Sequence, residues 1–230
     1  MKKLANILSI LLHPLLMPTL TYTIVAFIAP VLLQINPEYR FNLIWTIFTF
    51  TFLLPLALIF FLYFVGVMGR QKADETSSSE ESISVKPKVK ESVFIQSMTL
   101  EDRKERFFPF LLTTFLYTSL SYMLFTRHIF HLLAVVFAGV AFCMAVVTFI
   151  SRYWKISAHS TGIAGTVGFL LGVYLKFGET ELFYPILIAI FLTGLLMSAR
   201  LYLNQHTLLQ VFAGGILGFS VCLGVVMVWA

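Results

Sequence analysis

"HTLLQVFAGGILGFSVCLGVVMVW", residues 206–229, carries no charged side chain, and that decides the fold. A helix needs about 20 mainly apolar residues to cross the hydrocarbon layer of a bilayer. This stretch has that length and holds its histidine and glutamine, His206 and Gln210, near one end. Similar runs recur along the chain. Of its 230 residues, 59% are hydrophobic and 12% charged, and the mean hydropathy is +0.90. A soluble domain carries about 25% charged residues. The expected fold is an all-α, polytopic transmembrane bundle of six to seven spans, forming a single domain over residues 1–230.

Working back from that last span, the apolar pattern places others at about 182–199, 159–177, 129–150, 107–126 and 41–68. The first apolar stretch, Leu4 to Ile35, is interrupted by Pro14, Pro18 and Pro30. Proline removes a backbone donor and disfavours helix in the residue before it. Residues 4–13 therefore read as a short interfacial helix turning at "HPLLMPT" into a span at about 16–35. His13 reads as an interfacial residue ahead of a helix-starting proline. Lys2 and Lys3 give the start a signal-peptide look, but the apolar stretch outruns a signal h-region and reads as a retained segment. Residues 70–92 are rich in Ser, Glu and Lys and read as a flexible polar loop. Thr99 and Asp102 have the spacing of a capping-box-like start for a charged helix ahead of the third span.

Several function classes drop out. The net charge of +5 sits in loops, with no basic, aromatic-interleaved soluble domain, so nucleic acid is not an expected partner. Cys143 and Cys222 lie inside apolar runs, where cysteine behaves as a small hydrophobe. All 11 Asp and Glu residues fall in loops or at their margins. An ion-coupled transporter or channel normally keeps ionisable groups within the membrane. Two site histidines without a close third ligand also fall short of a zinc set.

Three breaks between spans carry unusual polar residues: "EDRKERFFP" (101–109), "SRYWKISAHS" (151–160) and "SARLYLNQH" (198–206). Two crossings separate each break from the next, so all three share one face. That face gathers all of the 16 Lys and Arg residues except Arg40, Arg127 and Lys176. The positive-inside rule explains the number of cations and points to a cytoplasmic face. It does not explain His159 and His206, each read at the first turn of a Gly-rich helix. Those two helices hold Gly162, Gly165, Gly168, Gly172, Gly214, Gly215 and Gly218 and are expected at the centre of the bundle. Helix N-termini direct N–H groups and a positive dipole end at anions, and arginine offers a planar fork of donors to phosphate. A neutral imidazole can attack phosphorus while a second protonates the leaving oxygen.

"SARLYLNQHTLLQVFAGGILG" resembles the third motif of the type 2 phosphatidic acid phosphatase superfamily, Ser-Arg-x5-His-x3-Asp. Arg200 and His206 have the motif's spacing, and Ser198 is shifted by one. "ISAHS" resembles the second motif, Pro-Ser-Gly-His, through Ser157 and His159. The resemblance covers roughly residues 100–220. It implies an integral-membrane hydrolase that releases phosphate from a lipid phosphate or isoprenoid diphosphate among membrane lipids, without cofactor or metal. The expected location is a bacterial inner (plasma) membrane. His206 would be the nucleophile that forms a phosphohistidine, and His159 the acid for the leaving group. Arg200 and Ser157 would hold phosphoryl oxygens. The first motif, Lys-x6-Arg-Pro, is not present as such; Arg103, Lys104 and Arg106 ahead of Pro109 would take its phosphate-binding role, with Lys155 as a further cation. Gln210 stands where the family has the aspartate that orients the nucleophile. At four residues from His206 it can accept the ring N–H but adds no charge. The alternative is therefore a weak or inactive relative that binds anionic lipid headgroups.

Overall fold

In hydrocarbon, every backbone polar group must find its partner within the protein, so a chain this apolar folds as helices. The computed structural model describes residues 2–33, 36–61, 64, 103–126 and 131–229, with only the backbone at 103–106 and 131. The expected polar loop at 70–92, the start at Thr99 and Asp102, and Arg127 lie outside the described residues. The elements are α1 (Lys2–Leu11), a 3-10 turn (Pro14–Leu16), α2 (Met17–Ile28), the single turn α3 (Pro30–Leu33) and α4 (Pro37–Phe61). After them come α5 (Arg103–Thr126), α6 (His131–Ser151), α7 (Ala158–Phe177), α8 (Phe183–Tyr202) and α9 (Leu208–Trp229). Counting α1–α2 as one broken segment, seven helical stretches are long and apolar enough to cross a membrane. The chain is an all-α bundle with the character of an integral membrane protein.

One boundary differs from expectation. The third span is continuous with the charged segment before it, because α5 runs through Pro109 from Arg103. Transmembrane helices tolerate proline where neighbouring groups take up the freed carbonyl. The fourth helix contains a π-helical turn, Thr49–Leu53. Tyr117 donates its O–H to the Thr51 carbonyl of that turn at 3.0 Å, and Thr19 and Thr51 share a 2.7 Å hydroxyl bond.

The helix α7 is the centre of the bundle. Its buried residues run almost without interruption from Ser160 to Val173, and α2, α8 and α9 pack around it. The closest packing is between α7 and α9, which run parallel. A Cβ at Gly214 would sit 2.6 Å from the Ser157 carbonyl oxygen. One at Gly218 would collide with the Thr161 carbonyl, and one at Gly168 with that of Phe219. Small residues permit this approach, and the gain in lipid is van der Waals contact between backbones. The expectation of two central helices holds for α7 only. The small residues of α9 line one face, and Leu209, Phe212 and Ile216 on the other are exposed. Thr21 of α2 bonds Thr166 of α7 through hydroxyls at 2.8 Å, tying a third helix to the pair. At the far end, Lys176 Nζ donates to the carbonyls of Val226 and Met227 at 3.0 and 3.1 Å. A cation is well placed at a helix C-terminus, where the last carbonyls lack intrahelical donors.

Candidate functional site

The local sequence builds the site from two helix starts. Ser157 is the N-cap of α7, its oxygen accepting from Ser160 N at 3.4 Å and from the Ser160 hydroxyl at 3.0 Å. This is ordinary capping chemistry, which satisfies a donor left over at the first turn. The structure thus places Ser157 in the helix start, fully buried, rather than in the cavity lining. His159 follows as the second residue of α7.

The second start is more elaborate. The helix α8 ends in a Schellman arrangement: Asn204 N donates to Leu201 O at 2.9 Å and Gln205 N to Arg200 O at 3.2 Å. Asn204 takes the left-handed conformation at φ 53° that this motif requires. Two residues later α9 opens with a capping box. Gln210 N donates to Thr207 Oγ1 at 3.4 Å, and Gln210 Oε1 accepts from Thr207 N at 3.1 Å. His206 is therefore not on the first turn of the helix, as the sequence suggested, but on the pivot residue between two caps. It is held there from both sides. Its Nδ1 lies 3.1 Å from the Lys155 carbonyl and 3.3 Å from Gln210 Oε1. Both partners are acceptors, so Nδ1 carries the proton and the lone pair is on Nε2. The two starts are joined directly, since Ser157 N donates to the Gln210 carbonyl at 3.3 Å.

His159 has the opposite tautomer requirement. Its Nε2 lies 3.2 Å from the Ser9 carbonyl of α1, so Nε2 carries a proton and Nδ1 is the nitrogen left for proton transfer. His159, His206 and Arg200 line one cavity of about 110 Å³. Arg200, at 4% exposure, and His206, at 8%, are buried polar groups of this lining. The rest of the lining is largely apolar, with Leu56, Ile59, Phe110, Val140 and Phe169 among its side chains, and both cysteines border it. Among the described residues, no three His, Cys, Asp or Glu side chains are placed to hold a metal ion.

The remaining expected residues are distributed as follows. Gln210 is beside His206 but outside the cavity lining. Lys155 is half-buried, and its carbonyl faces His206 Nδ1. Arg103, Lys104 and Arg106 fall in the first turns of α5, where only the backbone is described. Register puts 103, 106, 110 and 113 on one helical face, and Phe110 and Thr113 line the cavity. Arg152 is exposed at the end of α6, its guanidinium 5.8 Å from the Phe107 ring. That contact brings the start of α5 to the same end of the bundle as the other two breaks.

One lining residue escaped the sequence reading. His13 sits in the cavity wall, its ring edge-on to that of His159 at 5.5 Å between centroids. The span count held the signal: His13 precedes the first span and so shares the face of the three polar breaks. No protein-family model, no curated protein and no solved structure matches this chain.

Proposed function

We propose that the protein is an integral-membrane phosphatase acting on a lipid phosphate or diphosphate, as the resemblance to the type 2 phosphatidic acid phosphatases implies. The observation that carries this reading is the complementary pair of tautomers lining one cavity. His206 keeps its lone pair on Nε2, while His159 has Nε2–H anchored and Nδ1 available for proton transfer. In the proposed step, the Nε2 lone pair of His206 forms a bond to phosphorus and the phosphorus–oxygen bond to the leaving group breaks. The leaving oxygen takes a proton from Nδ1 of His159, which gains it from the phosphate monoanion as the substrate binds. Water then attacks the phosphohistidine and returns a proton to His159, while the phosphorus–nitrogen bond breaks and phosphate leaves. Arg200 is the donor fork for the phosphoryl oxygens. The register of α5 favours Arg103 and Arg106, rather than Lys104, as further cations. The largely apolar lining of the cavity favours a lipid over a soluble phosphate ester. A bacterial inner membrane remains the proposed location.

The test is phosphate release from a panel of lipid phosphates and diphosphates by detergent-purified protein. Release by wild type and loss of it in His206→Ala support the reading; no release above that control on any substrate overturns it. A second reading is favoured by Gln210, whose amide oxygen already serves the helix cap and brings no charge. In it the pocket binds an anionic headgroup without cleaving it. Labelled lipid phosphate would then bind His206→Ala as it binds wild type and bind Arg200→Ala weakly.

A further inference from the structure

We propose that His13 is a positioning residue, which acts together with the Ser9 carbonyl to lock the ring of His159. The N-terminal turn sits directly on α7. A Cβ at Gly162 would lie 3.4 Å from Pro14 Cα and 3.1 Å from Met17 Cγ, so the glycine is the seat that lets this turn approach. Gly162 is one helical turn after His159, and the residue before Pro14 is thereby brought against the His159 ring. His13 itself has a fixed ring. Its Nδ1 accepts from Leu15 N at 3.3 Å, and its edge meets Phe52 at 6.5 Å with planes 77° apart. That fixed ring stands at 81° to the His159 ring, 5.5 Å away.

The other hold is Ser9. Its carbonyl faces His159 Nε2 at 3.2 Å, and its own side chain is buried and bonded to the Ala5 carbonyl at 2.9 Å. The α1 helix carrying it is packed against α8. A half-turn of the His159 ring would exchange Nε2 for a carbon at Ser9 and lose that hydrogen bond. The His13 ring supplies the wall that keeps the imidazole in the one orientation. The motifs resembling known phosphatases all lie after residue 100, so this hold comes from a part of the chain they do not cover. The catalytic consequence rests on the phosphatase reading; the hold on the ring does not.

The experiment uses full-length protein in detergent with ¹⁵N-labelled imidazoles, assigned by single substitution of the five histidines. His13→Asn keeps an acceptor for the Leu15 N–H, as favoured at such caps, but removes the ring. His13→Phe keeps the ring and loses the acceptor. Wild type should show His159 with a protonated Nε2 in one tautomer. His13→Asn should average the two tautomers of His159 while leaving the Nδ1–H signal of His206 in place, which also reports that the bundle is folded. His13→Phe should retain the wild-type His159 signal. Gly162→Val, which lifts the turn without touching a ring, should reproduce the Asn result. In lipid phosphate hydrolysis, kcat should fall at least tenfold in His13→Asn, with KM within twofold, and return most of the way in His13→Phe. An unchanged His159 signal in both His13→Asn and Gly162→Val overturns the proposal, as does His13→Phe behaving like His13→Asn. If wild type hydrolyses no lipid phosphate, the phosphatase reading falls and the spectra still decide the role of His13.

Discussion

His206 and Gln210 are joined by a 3.3 Å hydrogen bond whose acceptor, Gln210 Oε1, also receives the Thr207 backbone N–H at 3.1 Å. One amide oxygen thus closes the cap of α9 and sets the tautomer of the neighbouring ring. A glutamine is long enough to reach back to the N-cap and do both.

This geometry orders the variants at position 210. Gln210→Glu keeps the reach and adds charge opposite the developing imidazolium. Charged hydrogen bonds exceed neutral ones by about 1 kcal/mol, so phosphate release should rise roughly fivefold. Gln210→Asp should gain less, because the shorter side chain gives up the Thr207 N–H. A rate in Gln210→Glu at or below wild type would show that ring charge does not limit the reaction.

Arg200 is buried and lines the cavity. Arg200→Ala should lower kcat/KM for lipid phosphate roughly 10- to 100-fold, matching about 1.5–3 kcal/mol for hydrogen bonds to a charged group. Arg200→Lys should recover only part, since an ammonium cannot reproduce the planar fork. Steady-state kinetics on the best substrate of the panel would check both.

The α7–α9 contact is expected to be intolerant of side chains. Gly218→Val drives atoms into the Thr161 carbonyl and should destabilise the bundle by about 1–3 kcal/mol in a detergent unfolding titration. Gly194 is the control: a Cβ there meets nothing within 4 Å. Gly194→Ala should be neutral, or stabilising by up to about 1 kcal/mol through helix propensity.

Asn204 makes the turn on which His206 sits. Gly at this position should preserve both stability and activity. Asn204→Val forces a β-branched residue to positive φ, at a cost of about 1–2 kcal/mol. Activity should fall with stability in that variant, because the same turn places His206. Wild-type activity in Asn204→Val would separate the turn from the site.

The helices are legible in the sequence and their contacts less so. The spans were legible because about 20 apolar residues in a row have few other fates, and the glycines at 214 and 218 announced one packing face. The apolar pattern alone puts His206 on the first turn; the capping box that moves the start to Thr207 is written in "TLLQ". Ser157 matched a motif, yet the same Ser-x-x-Ser spacing also describes an N-cap, and that role is the one seen. The roles of Ser9 and Lys155 were out of reach, since both act through carbonyls that every residue possesses. Its proline gives His13 a sufficient local reason, while the count of crossings puts it on the side of the three polar breaks.

The parallel pairing of α7 and α9 has a mechanical consequence. Ser157 N bonds the Gln210 carbonyl, and the next turns meet glycine against backbone, so no flexible side chain intervenes between the two helix starts that bear His159 and His206. The gap between the rings is therefore gauged by main chain. When the surrounding bilayer thins, thickens or bends, these two helices should tilt as one strut, with the interval between the histidines preserved.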